Sequence, residues 1–289
     1  HDQLSFIKGG LVFADWLTTV SPTYAEEIRT AQFGYGLEGL LDHRSDRLTG
    51  VLNGIDYHVW DPATDADIAQ TYDAGSFHLK QANKLALQKE LADKTYHPGP
   101  YTSFYIDMVV EILPEMMQHE KVQLVILGSG EEELEQALLE AAAAYPGRAV
   151  VTIGYNEPLA HRIEAGCECF LTPSRYEPCG LNQLYSLRYG TVPIVHRTGG
   201  LADTVTDLSP ASMLDETATG SVFDKPDAAS LLPSVQRAIE YYQRPGLWWE
   251  KLATRGMRQD FSWDASALHY LDIYHMAMDS PAKNPVAAA

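Results

Sequence analysis

Short apolar runs alternate with amphipathic stretches along most of this chain, and that alternation predicts its elements. Leu11–Val20 ends in an apolar, β-branched run that suits a buried strand. Ser21-Pro22 then opens a helix through Tyr24–Ile28, with Ser as N-cap and Pro at the first helical position. Thr49–Ile55 reads as a second short strand ending at an Asn-Gly turn. Asp61-Pro62 and the polar Ala63–Gly75 read as loop, and Ala82–Leu91 as helix. Lys94–Tyr105 places two prolines around a glycine and blocks regular structure. A helix follows over Asp107–Gln118, where Ile106, Val109, Val110 and Leu113 keep helical spacing. Val122–Leu127 is a strand and Glu131–Tyr145 an amphipathic helix. Ala149–Ile153 is a strand before a helix near Leu159–Ala165; Cys169–Thr172 is a strand before a helix over Leu181–Tyr189. Val192–Val195 is a further strand, the chain reads as helical from Val235, and Ser262 caps a final helix through Met278.

Strands alternating with helices at this spacing imply βαβ units and a parallel sheet. Right-handed crossovers then put the binding crevice at the carboxyl ends of the strands. The predicted class is α/β with a Rossmann-like parallel sheet.

The composition adds limits. A chain of 289 residues with 45% apolar and 21% charged content is long enough for one or two cores. Its net charge of −18 argues against a nucleic-acid or anionic-membrane partner. Apolar runs are far shorter than the roughly 20 residues a membrane span needs. The start, HDQLSFIKGG, lacks a basic n-region and a long apolar h-region, so it reads as no signal peptide and as the middle of a longer protein. Ser280–Ala289 reads as a disordered tail. Cys167, Cys169 and Cys179 form no disulfide framework, and the first two have no partners at metal-ligand spacing. Buried free thiols in a reducing cytoplasm are expected, with no metal site.

The chemistry concentrates between Thr172 and Val205. Glu177 follows a strand through a short loop and precedes a helix, so its side chain is expected in the crevice. Gly180 lets backbone approach a ligand closely, and the N–H groups at Leu181, Asn182 and Gln183 are free to bind phosphate. Gly199-Gly200 follows the next strand in the same way and is expected to form a second wall. Gly128-Ser129-Gly130 is half of a dinucleotide fingerprint, lacking the third glycine and the downstream acid. Tyr155, just past a strand, could stack on a purine or simply pack at the surface. Arg175, Arg188 and Arg197 are candidate cations, with Arg188 also suited to a surface pair; His161 reads as a solvated helix residue.

With these residues in view, the chain resembles the bacterial glycogen synthase and starch synthase family, retaining glucosyltransferases of GT-B architecture. YEPCGLNQLYSLRYGTVPIVHRTGGLADTV carries the likeness, supported by IGYNEPLAHRI, VLNGIDYHVWDPATD, TTVSPTYAEEI, FGYGLEGLL and DFSW. The resemblance implies that Glu177 is the carboxylate near the sugar and reacting centre and that Asn53 is an active-site asparagine on the acceptor-domain side. It implies donor contacts from Tyr155 at the adenine and from the backbone after Cys179 and Gly180 at the diphosphate. Gly128, Gly130, Gly199, Gly200, Leu181 and Asn182 complete the candidate donor set. The implied reaction moves glucose from ADP-glucose or UDP-glucose to the non-reducing end of an α-1,4-glucan, with retention and no metal or other cofactor.

The implied organisation is the end of the N-terminal acceptor domain over 1–60, the donor domain over 61–260, a crossing helix over 261–279 and the tail over 280–289. Two departures shape the expectation. The family's lysine-glycine-glycine loop and acceptor-domain histidine would precede His1. In place of the donor domain's first strand and its arginine- and lysine-bearing phosphate loop, the chain has YHPGPYTSFY, with no Arg or Lys. Each lost phosphate contact would cost about 2–5 kcal/mol at a desolvated site. Weak or absent turnover is therefore expected. The alternative is a non-catalytic nucleotide-sugar or glucan-binding fragment; a nucleotide-sugar epimerase of similar architecture is the third reading. The partial N-terminal domain, with Leu17–Val20 short of neighbours, is expected to self-associate.

Overall fold

The computed structural model describes residues 5–92 and 106–279. The irregular segment expected over Lys94–Tyr105 and the disordered tail expected over 280–289 lie outside the described residues.

Helix α1 (Phe6–Phe13) and strand β1 (Leu17–Thr19) come first, so the strand expected over Leu11–Val20 shrinks to its β-branched end. Ser5 caps α1, whose Lys8 N–H donates to the Ser5 hydroxyl at 3.3 Å, and the helix buries none of its residues. Helix α2 (Pro22–Glu27) starts as the Ser-Pro pair predicts, with Ser21 as N-cap. After α3 (Glu38–His43), strand β2 (Leu48–Gly50) pairs parallel with β1. This strand is shorter than the expected Thr49–Ile55 and stops at Gly50, which lies hard against the Ser21-Pro22 backbone: a Cβ there would stand 2.0 Å from the Ser21 carbonyl oxygen. Ile55 instead makes a single bridge to Ser262. Strand β1 therefore has one neighbour, and the expectation of a bare edge holds for its other side alone among the described residues.

The rest alternates as predicted. Helix α4 (Lys80–Ala92), α5 (Ile106–Met116), β3 (Leu124–Gly128), α6 (Glu132–Ala143), β4 (Ala149–Ile153), α7 (Glu157–Gly166), β5 (Cys169–Thr172), α8 (Asn182–Tyr189) and β6 (Val192–His196) follow in order. Helices α9 (Gly199–Thr204) and α10 (Pro210–Leu214) lead to β7 (Ser221–Phe223). The helical region begins before Val235: α11 (Ala228–Gln243) is capped by Asp227, whose carboxylate accepts from Ser230 N–H at 2.8 Å, and α12 (Trp248–Met257) follows. Helix α13 (Trp263–Asp279) closes the chain, with Ser262 accepting from Ala265 N–H at 3.2 Å.

Among the described residues every strand pair is parallel, and the strands form separate pieces: β1–β2, β3–β4 and β5–β6–β7. Strand β6 is buried at every position. It sits in the main core with Met108, Ile112 and Leu113 of α5, Leu231 and Val235 of α11, and Leu252 of α12. Burying a Leu or Met side chain of this kind stabilises by roughly 1.5–3 kcal/mol. A second cluster joins Leu87 and Leu91 of α4 to Leu159 and Ile163 of α7, under Val125 and Leu127 of β3.

The polar segment Ala63–Gly75 is a loop as expected, yet it is tied to the interior. Tyr72 is buried and donates to the Tyr189 carbonyl at 2.8 Å. Just beyond it, Lys80 is buried and its ammonium faces the carbonyls of Glu164, Ala165 and Tyr189 at 2.9–3.2 Å and the Thr191 hydroxyl at 2.8 Å. A desolvated ammonium is tolerable only when its protons are met in this way. His161 departs from expectation: it is buried, not solvated. Its Nδ1 lies 2.8 Å from an Asp65 carboxylate oxygen and 3.2 Å from the Tyr189 hydroxyl. The Trp60 ring is stacked between His161 and Tyr185, with centroids 3.8 and 3.9 Å away. A helical periodicity shows which face a histidine occupies but not which loop folds over it.

Among the described residues, no helix is long and apolar enough to cross a membrane.

Candidate functional site

The turn after β5 carries Glu177 towards the carboxyl end of the sheet. His196, at the end of β6, has its Nδ1 2.9 Å from the Ser174 carbonyl and holds the start of this loop. Burial raises the Glu177 carboxyl above its usual range; bonds from the Ser174 hydroxyl at 3.4 Å and the Gly180 N–H pull the other way. Gly180 has φ +72°, a left-handed conformation that glycine adopts without strain. Gln183, fully buried, donates to the Cys179 carbonyl at 2.9 Å and the Gly180 carbonyl at 3.1 Å, pinning the loop onto α8. The first helical bonds of α8 run from Leu184 and Tyr185 N–H to the Leu181 carbonyl. The N–H groups of Asn182 and Gln183 thus precede the helix ladder, where the helix dipole favours an anion.

Gly199 and Gly200 lie directly beneath the Glu177 loop. A Cβ on Gly199 would stand 1.9 Å from the Glu177 carbonyl oxygen, and one on Gly200 2.1 Å from that of Cys179. Gly200 N–H donates to the Glu177 and Pro178 carbonyls at 3.2 and 3.1 Å, and Gly199 N–H donates to Glu27 at 3.0 Å. The expected second wall is thus a support for the first, its N–H groups already engaged with protein.

The other candidates are more dispersed. Asn53 meets the loop through its backbone, its N–H 3.5 Å from the buried Cys179 sulfur. Gly128 ends β3 and its carbonyl accepts from Gly154 N–H at 2.8 Å, with open space around its Cα. Gly130 N–H donates to Glu135 of α6 at 2.7 Å, and the Ser129 hydroxyl beside it is buried without a partner. Tyr155, just beyond β4, is 72% exposed, as a ring awaiting a flat ligand or an ordinary surface tyrosine would be. The three arginines are each paired with an aspartate: Arg175 with Asp107, Arg188 with Asp61 at 2.5 Å and Arg197 with Asp224 at 2.6 Å. Arg188 also lies 4.4 Å over the Tyr57 ring.

Cys167 and Cys169 are half-buried free thiols, and burial pushes Cys167 up to about 12 and Cys169 higher still. Among the described residues, metal-type ligands converge at Asp65, Asp67 and His161. There Asp65 is already committed to His161, to the Tyr189 hydroxyl at 2.5 Å and to Asp67 N–H at 2.8 Å.

Sequence reasoning missed Glu27 and Gln183 as supports of the loop. Gln183 adjoins the recognised turn. Glu27 lies so far from Gly199 along the chain that no local pattern could join them.

Parallel βαβ units with an acid-bearing loop at the carboxyl ends of the strands define an α/β protein of Rossmann-like class. The family model for the starch synthase catalytic domain matches residues 1–43, and that for glycosyl transferases group 1 matches 104–245. The chain is 49% identical over 282 residues to glycogen synthase 2 of Nitrosococcus oceani and 50% identical over 287 to a glycogen synthase of Alkalilimnicola ehrlichii, in each case with 95% of this chain aligned. Its structure is similar to the catalytic domain of starch synthase IV from Arabidopsis thaliana, solved with ADP and acarbose: TM-score 0.83, 31% identity, covering 95% of this chain and 58% of that one. Sucrose-phosphate synthase from Thermosynechococcus elongatus, with TM-score 0.62, 20% identity and coverage of 94% and 60%, shares the fold. The chain belongs to the glycogen synthase and starch synthase family. It spans 57–58% of the length of those two curated relatives.

Proposed function

We propose that this chain carries the donor half of a glycogen-synthase-type glucosyl-transfer site, taking ADP-glucose as donor and an α-1,4-glucan as acceptor. The observation that carries this reading is the Glu177–Gly180 loop: a half-buried carboxyl held beside the free N–H groups opening α8. In the transfer, negative charge grows on the departing diphosphate and positive charge on the sugar ring. Helix N–H groups stabilise the first, and a carboxylate that grips the sugar favours the second. Tyr155 would stack on the adenine, and Asn53 would face the sugar from the N-terminal segment. The reaction proceeds with retention and needs no metal or other cofactor.

Turnover by this chain is expected to be weak or nil, because Arg175, Arg188 and Arg197 are paired with carboxylates and YHPGPYTSFY carries no Arg or Lys in place of the family's phosphate loop. Binding without catalysis is the second reading, favoured by that same observation. Self-association is proposed through the N-terminal segment, where Phe6, Ile7 and Phe13 are exposed on α1. The free cysteines suit a reducing compartment such as the cytoplasm.

Calorimetric titration with ADP and ADP-glucose, beside a glucose-incorporation assay, tests the proposal. The expected result is ADP-glucose binding that Glu177→Ala abolishes, with little incorporation. Failure of both nucleotides to bind would overturn it. Rapid incorporation would overturn the expectation of weak turnover.

A further inference from the structure

Helices α2 and α9 cap each other with carboxylates. Asp203 of α9 accepts from Thr23 N–H at 3.0 Å, from the Thr23 hydroxyl at 2.6 Å and from the Ser21 hydroxyl at 2.5 Å, all at the start of α2. Glu27, at the end of α2, accepts from the Thr198 hydroxyl at 2.9 Å and Gly199 N–H at 3.0 Å, at the start of α9. Each acid thus sits at the partner helix's positive end, where a carboxylate is favoured. Thr198, the N-cap of α9, makes no side-chain cap bond to its own helix, so Glu27 supplies that function from outside. The other Glu27 carboxylate oxygen is buried and has no partner.

This turn is the one that carries the donor loop. Gly200 N–H holds the Glu177 and Pro178 carbonyls, and no side chain could replace hydrogen at Gly199 or Gly200 without striking that loop. The N-terminal segment touches the same loop at further points. Asn53 N–H meets Cys179, and the Tyr24 hydroxyl bonds that of Tyr176, whose ring stacks on Phe33 at 5.3 Å. Residues from before Gly54 therefore set the position of a loop more than a hundred residues later. We infer that Glu27 is a positioning residue of the donor site, holding Glu177 in place through the Thr198–Gly200 turn. The inference rests on the donor reading for its functional consequence, while its structural part stands without it.

Two measurements on the full chain decide it. In hydrogen–deuterium exchange, Glu27→Ala is expected to speed exchange of the peptide covering 174–185 by about tenfold, the worth of a charge-assisted hydrogen bond lost locally. Peptides from β6 and α11 should not change. Glu27→Gln keeps an acceptor for Gly199 and Thr198 and should stay within about twofold of the parent. Thr198→Val, which removes only the hydroxyl donor, gives a milder version should Glu27→Ala fail to fold. In titrations, Glu27→Ala should lower the preference for ADP-glucose over ADP by about fivefold, whereas Glu27→Gln should keep it within about twofold of the parent. Unchanged exchange at 174–185, or equal acceleration throughout the protein, overturns the inference. If the parent chain binds neither nucleotide, the donor reading falls and exchange alone judges the positioning role.

Discussion

Strands β6 and β3 have equal length, yet β6 is buried at all five positions and β3 is partly exposed at all five. The piece built around β6 is covered by α5, α11 and α12 and bears the Glu177 loop with its dense set of supports. The piece built from β3 and β4 has two strands and bears Gly128, Gly130 and Tyr155. Counting the Glu177 piece as one wall and the piece with Gly128, Gly130 and Tyr155 as the other, the two rest on foundations of different depth. Packing depth, not motif quality, decides which wall is held in place.

Core substitutions should show the contrast most strongly. Leu231→Ala, at a fully buried position against β6, is expected to cost about 3–4 kcal/mol, whereas Val125→Ala in β3 should cost about 1 kcal/mol. Urea denaturation measures both, and equal losses would break the comparison.

A pH effect comes next, at the seam where α7 approaches β5 and β6. Burial pushes the Glu164 carboxyl up to about 8 from 4.5 and the Lys80 ammonium down to about 8 from 10.5. Between pH 4.5 and 8 the native protein keeps a proton on Glu164 that the unfolded chain releases, so this group makes stability fall as pH rises. From pH 8 to 10.5 the unfolded chain keeps a proton on Lys80 that the native protein has released, so stability rises. Glu164→Gln should flatten the fall between pH 5 and 8, read as urea midpoints at the two values. An unchanged difference between those midpoints would refute the assignment.

Tyr155→Ala sharpens the contrast from the exposed wall. Its melting temperature should match the parent, because the ring packs on little, while ADP affinity should fall about tenfold, the worth of one stacked base. Unaltered affinity would make Tyr155 an ordinary surface residue. The smallest effect is expected at the exposed Arg197–Asp224 pair, where Arg197→Ala should change stability by less than about 0.5 kcal/mol.

Much of the fold was legible because its signals are local. Strands β4 and β5 match their expected bounds, and the Ser-Pro start of α2 and the Ser262 cap of α13 stand as read. Alternating apolar runs and cap chemistry need no distant partner to be seen. The misreadings share the opposite cause. The Leu11–Val20 run falls in part within α1, whose Leu11 and Val12 carbonyls and the Ala14 carbonyl after it accept from Arg44, and β2 stops at Gly50, hard against the Ser21 backbone. His161 was drawn inside by Trp60 and Asp65, about a hundred residues earlier.

The candidate site divides in the same way. The sequence alone determined the strand–loop–helix placement of Glu177, the glycines flanking it and the family to which they belong, because those depend on residues within a few positions of one another. Only the tertiary structure decided that Gly199 and Gly200 support the loop instead of facing the crevice, and that the arginines are paired with aspartates. It alone brought Glu27 and Asp203 together as reciprocal caps. Hydrogen bonds and close packing act across space, and a linear pattern records them only when the partners are also neighbours along the chain.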